Sequence, residues 1–141
     1  MSWHITIIDG HSIDGQTEKS EMETVAEVEG TENDYKIIYE EKNEEMKGCL
    51  TTVHVTDGSC VQITRSGAYN TEMKMEKGRR NQCCYVTPVG QLTLGIYTSR
   101  IISEFEKNRR ITVDFTYTLD FNNELVSRNR VKITVENKEA D

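Results

Sequence analysis

Between residues 111 and 119 the chain reads ITVDFTYTL, an order that fits a half-buried β-strand. Ile111, Val113, Phe115, Tyr117 and Leu119 share one phase, and Thr112, Asp114, Thr116 and Thr118 share the other. A strand sends successive side chains to opposite faces, whereas a helix would scatter these apolar residues around its axis. Leu92, Leu94 and Ile96 alternate in the same way, as do Val53 with Val55 and Val61 with Ile63. β-Branched and aromatic residues fill these runs, as a pleated surface favours.

Turn signals separate the runs: DGHSIDG at 9–15, EGTEND at 29–34, TDGS at 56–59, TPVG at 87–90 and FNNE at 121–124. Pro88, the sole proline, falls in one of these turns, where its missing N–H costs no ladder bond. Residues 40–48 and 103–108 hint at helix, but both are short and polar and read as loops or single turns. The expectation is an all-β meander of eight to ten strands. The 141 residues make one domain, 1–141, large enough to enclose a core without metals or disulfides.

Composition bounds the partners. The net charge of −7 is uneven: residues 1–48 carry 13 acidic and 4 basic side chains, and residues 49–141 carry 11 acidic and 13 basic. The acidic part repels a phosphate backbone and the rest is nearly neutral, so nucleic acid is not an expected partner. No apolar run reaches membrane-spanning length, and the N-terminus lacks a basic segment followed by a cleavable apolar one. No membrane association is expected, and monomer and dimer both remain open. Cys49, Cys60, Cys83 and Cys84 form no C-x-x-C pair. They are expected as free thiols in strands, in a reducing cytoplasm.

Register decides which side chains share a face. A three-residue loop, Phe121 to Asn123, is expected to set Leu119 against Leu125 and Val113 against Val131. A loop from Thr56 to Gly58 is expected to set Val53 against Val61, with Arg65 then facing Cys49. Under this scheme Arg65 lies on the inward phase of Val61 and Ile63. Ser127, opposite Tyr117, and Asn129, opposite Phe115, lie on the inward phase of the last strand.

Three inward polar residues from two strands suggest a polar spot inside the fold or at its mouth. A guanidinium keeps its proton, and burying it without acceptors costs several kcal/mol. Glu41, which shares a face with Tyr39 if Tyr39 points inward, is the expected partner. Two readings follow. In one, Arg65 and Glu41 form an ion pair that closes one end of the core. In the other, Arg65, Asn129 and Ser127 line a pocket and offer donors to a bound anion or carbonyl.

Catalytic patterns do not emerge. There is no G-x-S-x-G, P-loop or G-x-G-x-x-G motif. His4, His11 and His54 lack metal spacing, and Asp114 and Asp120 fall on an outward, solvated phase. No catalytic residues, metal ligands or cofactor are assigned.

The segments IIYEE (37–41), TTVHV (51–55), RSG (65–67), YVTPVGQLTL (85–94) and SRNRVKITV (127–135) together resemble the YwiB-like family of small bacterial proteins. The resemblance runs from about residue 5 to 136. It implies a single antiparallel up-and-down β-barrel, lipocalin-like, of the calycin superfamily, in the bacterial cytoplasm. It carries Tyr39, Glu41, Arg65, Gly67, Tyr85 and Asn129 over as family positions. Many calycins hold a small apolar ligand, so the implied function is non-enzymatic binding of a small molecule in the barrel or at its mouth. The candidate interior set is Arg65, Asn129, Ser127, Glu41, Tyr39, Tyr85 and Tyr117. The alternatives are a protein-interaction module with a filled barrel, and an enzyme that holds an anionic substrate near Arg65. A haem would require His4, His11 or His54 as its axial ligand, and it ranks below these.

Overall fold

The computed structural model describes residues 3–42, 47–67, 70–87 and 90–139, with residues 85–87 described through their backbone alone. Among them the chain forms ten strands: β1 Trp3–Ile13, β2 Gln16–Thr31, β3 Asp34–Glu40, β4 Leu50–Thr56, β5 Cys60–Ser66, β6 Thr71–Glu76, β7 Arg80–Thr87, β8 Gly90–Glu106, β9 Arg110–Phe121 and β10 Glu124–Asn137. Each strand pairs antiparallel with the next, and β10 pairs with β1, closing an up-and-down barrel. Closure gives every strand two neighbours, which removes the open edges that an all-β sheet otherwise exposes. Residues 103–106 continue β8, and 107–109 form the turn into β9. The other helix hint, 40–48, falls partly on residues 43–46, and the TPVG turn on residues 88 and 89, all outside the described residues.

Period-two alternation becomes the inside and outside of the barrel. Ile5, Ile37, Val55, Val61, Met75, Ile111, Val113, Phe115 and Val135 are fully buried. They fill the half of the barrel where β1 begins and β10 ends. Each such side chain stabilises the fold by about 1.5–3 kcal/mol relative to exposure. Trp3 closes that end and is also buried. All four cysteines are free, Cys49 and Cys83 buried and Cys60 and Cys84 partly so.

The register differs from the expected one by two residues in both the β9–β10 and the β4–β5 hairpins. Val113 pairs with Ile133 rather than Val131, and Val131 pairs with Phe115. The connection is a two-residue turn, Asn122–Asn123, with φ of 51° and 66°. Positive φ at both central residues is the geometry whose twist suits a tight hairpin, and asparagine tolerates it. That turn alone would have put the outward residues of β10 inside. A bulge between Leu125 and Ser127 absorbs one residue and restores the phase. Ser127 therefore stands opposite Leu119, and Asn129 opposite Tyr117. In the β4–β5 hairpin Val55 pairs with Val61 and Thr51 with Arg65, so Arg65 faces Thr51 and not Cys49. The turn there is Asp57–Ser59, with Asp57 and Gly58 left-handed at φ 51° and 63°. A slip of two leaves every face assignment intact, because the side-chain period is two.

β8 also carries an irregularity, between Thr98 and Arg100. It moves the inward phase from Leu94, Ile96 and Thr98 to Ile101, Ser103 and Phe105, letting one 17-residue strand stay core-facing along its length. On the outer face, Asp114 and Asp120 are less solvated than their phase suggests. Arg130 donates to Asp114 through Nε (3.2 Å) and Nη2 (2.9 Å), and Arg80 grips Asp120 in the same two-pronged way.

Candidate functional site

The other half of the barrel is not filled. Toward the end where β1 and β3 finish, a cavity of about 630 Å³ is lined by Ile7, Asp9, Met22, Tyr39, Glu41, Val53, Ile63, Arg65, Met73, Tyr117, Val131 and Ile133, with Ser20, Glu21 and Lys42 at its lip. β2 pairs with β3 only from Glu27 to Thr31, so its first half stands apart from β3 among the described residues and forms one side of the opening. Pockets of about 300–1,000 Å³ suit small ligands.

The polar pole of this cavity is built by register. Tyr39, Thr51 and Arg65 stand side by side on β3, β4 and β5. The Glu41 N–H donates to the Cys49 carbonyl at 2.9 Å, which carries the β3–β4 pairing one step past β3 and keeps Glu41 on the inward phase of Tyr39. Glu41 Oε1 accepts from the Thr51 hydroxyl at 2.8 Å and from Arg65 Nε at 3.4 Å. Glu41 and Thr51 are buried, whereas the Arg65 side chain keeps 23% exposure. Burial foremost, and then the neighbouring Glu41 carboxylate, push the Tyr39 hydroxyl well above its ordinary range, so it holds its proton and serves as a donor. Gly67 supports this corner: at φ 140° it lies against Cys49, and a Cβ there would come within 3.1 Å of the Cys49 Cα.

The Arg65–Glu41 contact joins the two residues expected to pair, yet it is long and engages one of five guanidinium N–H groups. No hydrogen bond to a described residue engages the two terminal nitrogens. Arg65 is thus both a partner of Glu41 and part of a cavity wall.

Of the seven candidate interior residues, Arg65, Glu41, Tyr39 and Tyr117 come together around the cavity. Ser127 and Asn129 are buried but stand beyond it, where Asn129 Nδ2 donates to Ser127 Oγ at 2.9 Å. That bond meets part of their mutual need for partners. Tyr85 pairs with Leu92 through its backbone, and its side chain lies outside the described residues. His4 and His11 lie far apart on β1 beside Glu23 and Glu18, and His54 lies on β4 beside Asp34. Among the described residues no group of His, Cys, Asp and Glu has the arrangement to hold a metal.

Asp9 is the cavity residue that sequence reasoning left out of the interior set, reading it with His4, His11 and Asp14 as a chance surface cluster. It lines the cavity, and burial raises its carboxyl above the ordinary value, opposed by the charges of His11 and Arg65. The signal was the phase Trp3, Ile5, Ile7, Asp9, the same alternation that singled out Arg65. A second cavity, about 690 Å³, lies at the far end between Trp3, Val28 and Phe105, with Glu27, Glu29, Glu32 and Lys107 around it. Its charged groups sit on a solvated rim and not on an inward phase, so it lacks the enclosed polar pole of the first.

The barrel resembles a solved structure. A crystal structure of the ywiB protein from Bacillus subtilis matches with a TM-score of 0.83, covering 96% of this chain and 90% of that chain at 22% identity. At that identity the likeness is one of fold. None of the curated proteins matches the chain. The family model described as "Domain of unknown function (DUF1934)" matches residues 5–133, and the chain belongs to that family.

Proposed function

We propose that this protein is a non-enzymatic binder of a small molecule, held in the open half of the barrel with its polar head on Arg65. One observation carries the reading: a guanidinium whose terminal nitrogens hydrogen-bond to no described residue faces a cavity of about 630 Å³, with walls that include Ile7, Met22, Ile63, Met73, Val131 and Ile133. Filling that cavity with an apolar body removes surface from water, while an anionic or carbonyl head meets donors that the described residues leave open. The ten-strand closed barrel is consistent with the lipocalin-like, calycin architecture that the resemblance implies, in which one small ligand occupies the interior. Free thiols at all four cysteines support a cytoplasmic setting.

Native mass spectrometry of protein purified from its host without refolding tests the proposal. A bound small molecule that disappears in Arg65→Met, with the fold retained by circular dichroism, supports it. An unliganded wild-type mass, together with no uptake of apolar carboxylates or amides, refutes it.

A further inference from the structure

The cavity carries a second charged side chain, Asp9, with no hydrogen-bond or ion-pair partner among the described residues, and with Arg65 it defines a ligand class more narrowly. Asp9 on β1 and Arg65 on β5 line the same cavity, and each falls within the electrostatic reach of the other. They do not touch: among the described residues no ion pair joins them, and no hydrogen bond reaches the Asp9 carboxylate. Glu41, in contrast, is occupied by Thr51 and Arg65. The pole therefore presents guanidinium donors on one strand and carboxylate acceptors on another, with space between, above walls formed by Ile7, Met22, Ile63, Met73, Val131 and Ile133.

Building on the small-molecule reading, we propose that the cavity takes an α-amino acid with a large apolar side chain, its carboxylate on the terminal nitrogens of Arg65 and its ammonium on Asp9. A carboxylate without an ammonium would bring a like charge beside Asp9, and an amine without a carboxylate would do the same beside Arg65. A zwitterion opposes neither and satisfies both. The apolar side chain then fills the space that the barrel's own residues leave empty. Burial disfavours the charged form of Asp9 in the empty cavity, and an arriving ammonium restores it.

The test is a ligand series read by isothermal titration calorimetry: L-phenylalanine, 3-phenylpropanoate, which lacks the ammonium, and phenethylamine, which lacks the carboxylate. L-Phenylalanine is expected to bind wild type at least about tenfold more tightly than either analogue, as when a charge-assisted contact is lost. Asp9→Asn should erase its advantage over 3-phenylpropanoate, and Arg65→Gln its advantage over phenethylamine. Because the wild-type series decides alone, a variant that fails to fold does not block the result. Phenylpropanoate binding as tightly as phenylalanine overturns the amino-acid assignment and leaves the small-molecule reading standing, and so does a non-amino-acid ligand recovered by native mass spectrometry. No binding of any of the three also overturns the assignment. An unliganded native mass together with no uptake of any apolar probe sinks both.

Discussion

The Arg65–Glu41 contact makes a quantitative prediction, because its geometry lies between a closed ion pair and a free cation. Removing one partner of a fully buried pair costs about 3–5 kcal/mol. In Arg65→Met, however, Glu41 keeps the Thr51 hydroxyl at 2.8 Å and loses a single bond of 3.4 Å. Hydrogen bonds to charged groups contribute about 1.5–3 kcal/mol, and a bond this long belongs at the bottom of that range. The expected loss is about 1.5 kcal/mol. Glu41→Leu should cost more, about 2–4 kcal/mol, since it removes the acceptor that the fully buried Thr51 hydroxyl and the Tyr39 hydroxyl share. Arg65 itself can turn its charge toward the cavity. The double variant should therefore stay close to Glu41→Leu, recovering no more than about 1 kcal/mol. Urea denaturation midpoints for the four proteins, at constant slope, supply the cycle. A loss of about 4 kcal/mol in Arg65→Met with near-complete recovery in the double would refute the reasoning, because it would mean that the guanidinium is locked in the pair. A loss near zero would remove the pair altogether.

Three further outcomes follow from the same structure. Asp9 binds its proton more tightly folded than unfolded, so its carboxylate opposes folding at neutral pH, and Asp9→Asn should raise the midpoint there. That gain should vanish as pH falls below the ordinary carboxyl value of 3.8, and a gain independent of pH would contradict the assignment. Arg130 holds the Asp114 carboxyl below its ordinary range, so Asp114 contributes stability above that range and loses it as pH falls through the depressed value. In Arg130→Gln the Asp114 carboxyl should titrate higher by NMR, and an unmoved titration would rule out the pairing as its cause. Thiol titration of the unfolded, unreduced protein should count four, and a count of two would mean a disulfide. In the folded protein Cys83, pushed up to about 11 by burial, should react more slowly than its partly exposed neighbour Cys84.

What the sequence disclosed was phase, and what it concealed was register. Alternation placed Arg65, Glu41, Tyr39 and Tyr117 on the interior before any pairing was known, and the two-residue slips in both hairpins did not disturb that result. The β9–β10 slip came from a compensation between distant choices. A two-residue Asn122–Asn123 turn by itself would set Arg128 and Arg130 inward, and only the bulge between Leu125 and Ser127 makes it admissible. A bulge leaves no compositional mark, since the extra residue, Val126, is as strand-like as its neighbours. Ser127 and Asn129 were legible as buried polar residues, but whether they reach the cavity depends on depth along the barrel, which alternation does not encode. Asp9 was legible by phase and was obscured by its turn-like neighbours in DGHSIDG, where β1 continues to Ile13 and the turn falls only at Asp14–Gly15.

The barrel is closed, yet not uniformly. Long ladders join β7, β8, β9, β10, β1 and β2 in one shell, and β3 to β6 form a second, smaller one. Between the shells the described ladders are short: residues 27–31 against 34–38 on one side, and Glu72 against Cys84 on the other. Backbone hydrogen bonds contribute to the local free energy of opening, and among the described residues the ladders at these two seams carry the fewest pairs. The first of them is also one lip of the cavity, with Met22 and Ser20 on one shell and Tyr39 and Glu41 at the end of the other. Arg65 belongs to the small shell and Asp9 to the large one. A ligand held by both charges would act as a rivet across the seam, so occupancy and closure of the barrel become a single equilibrium.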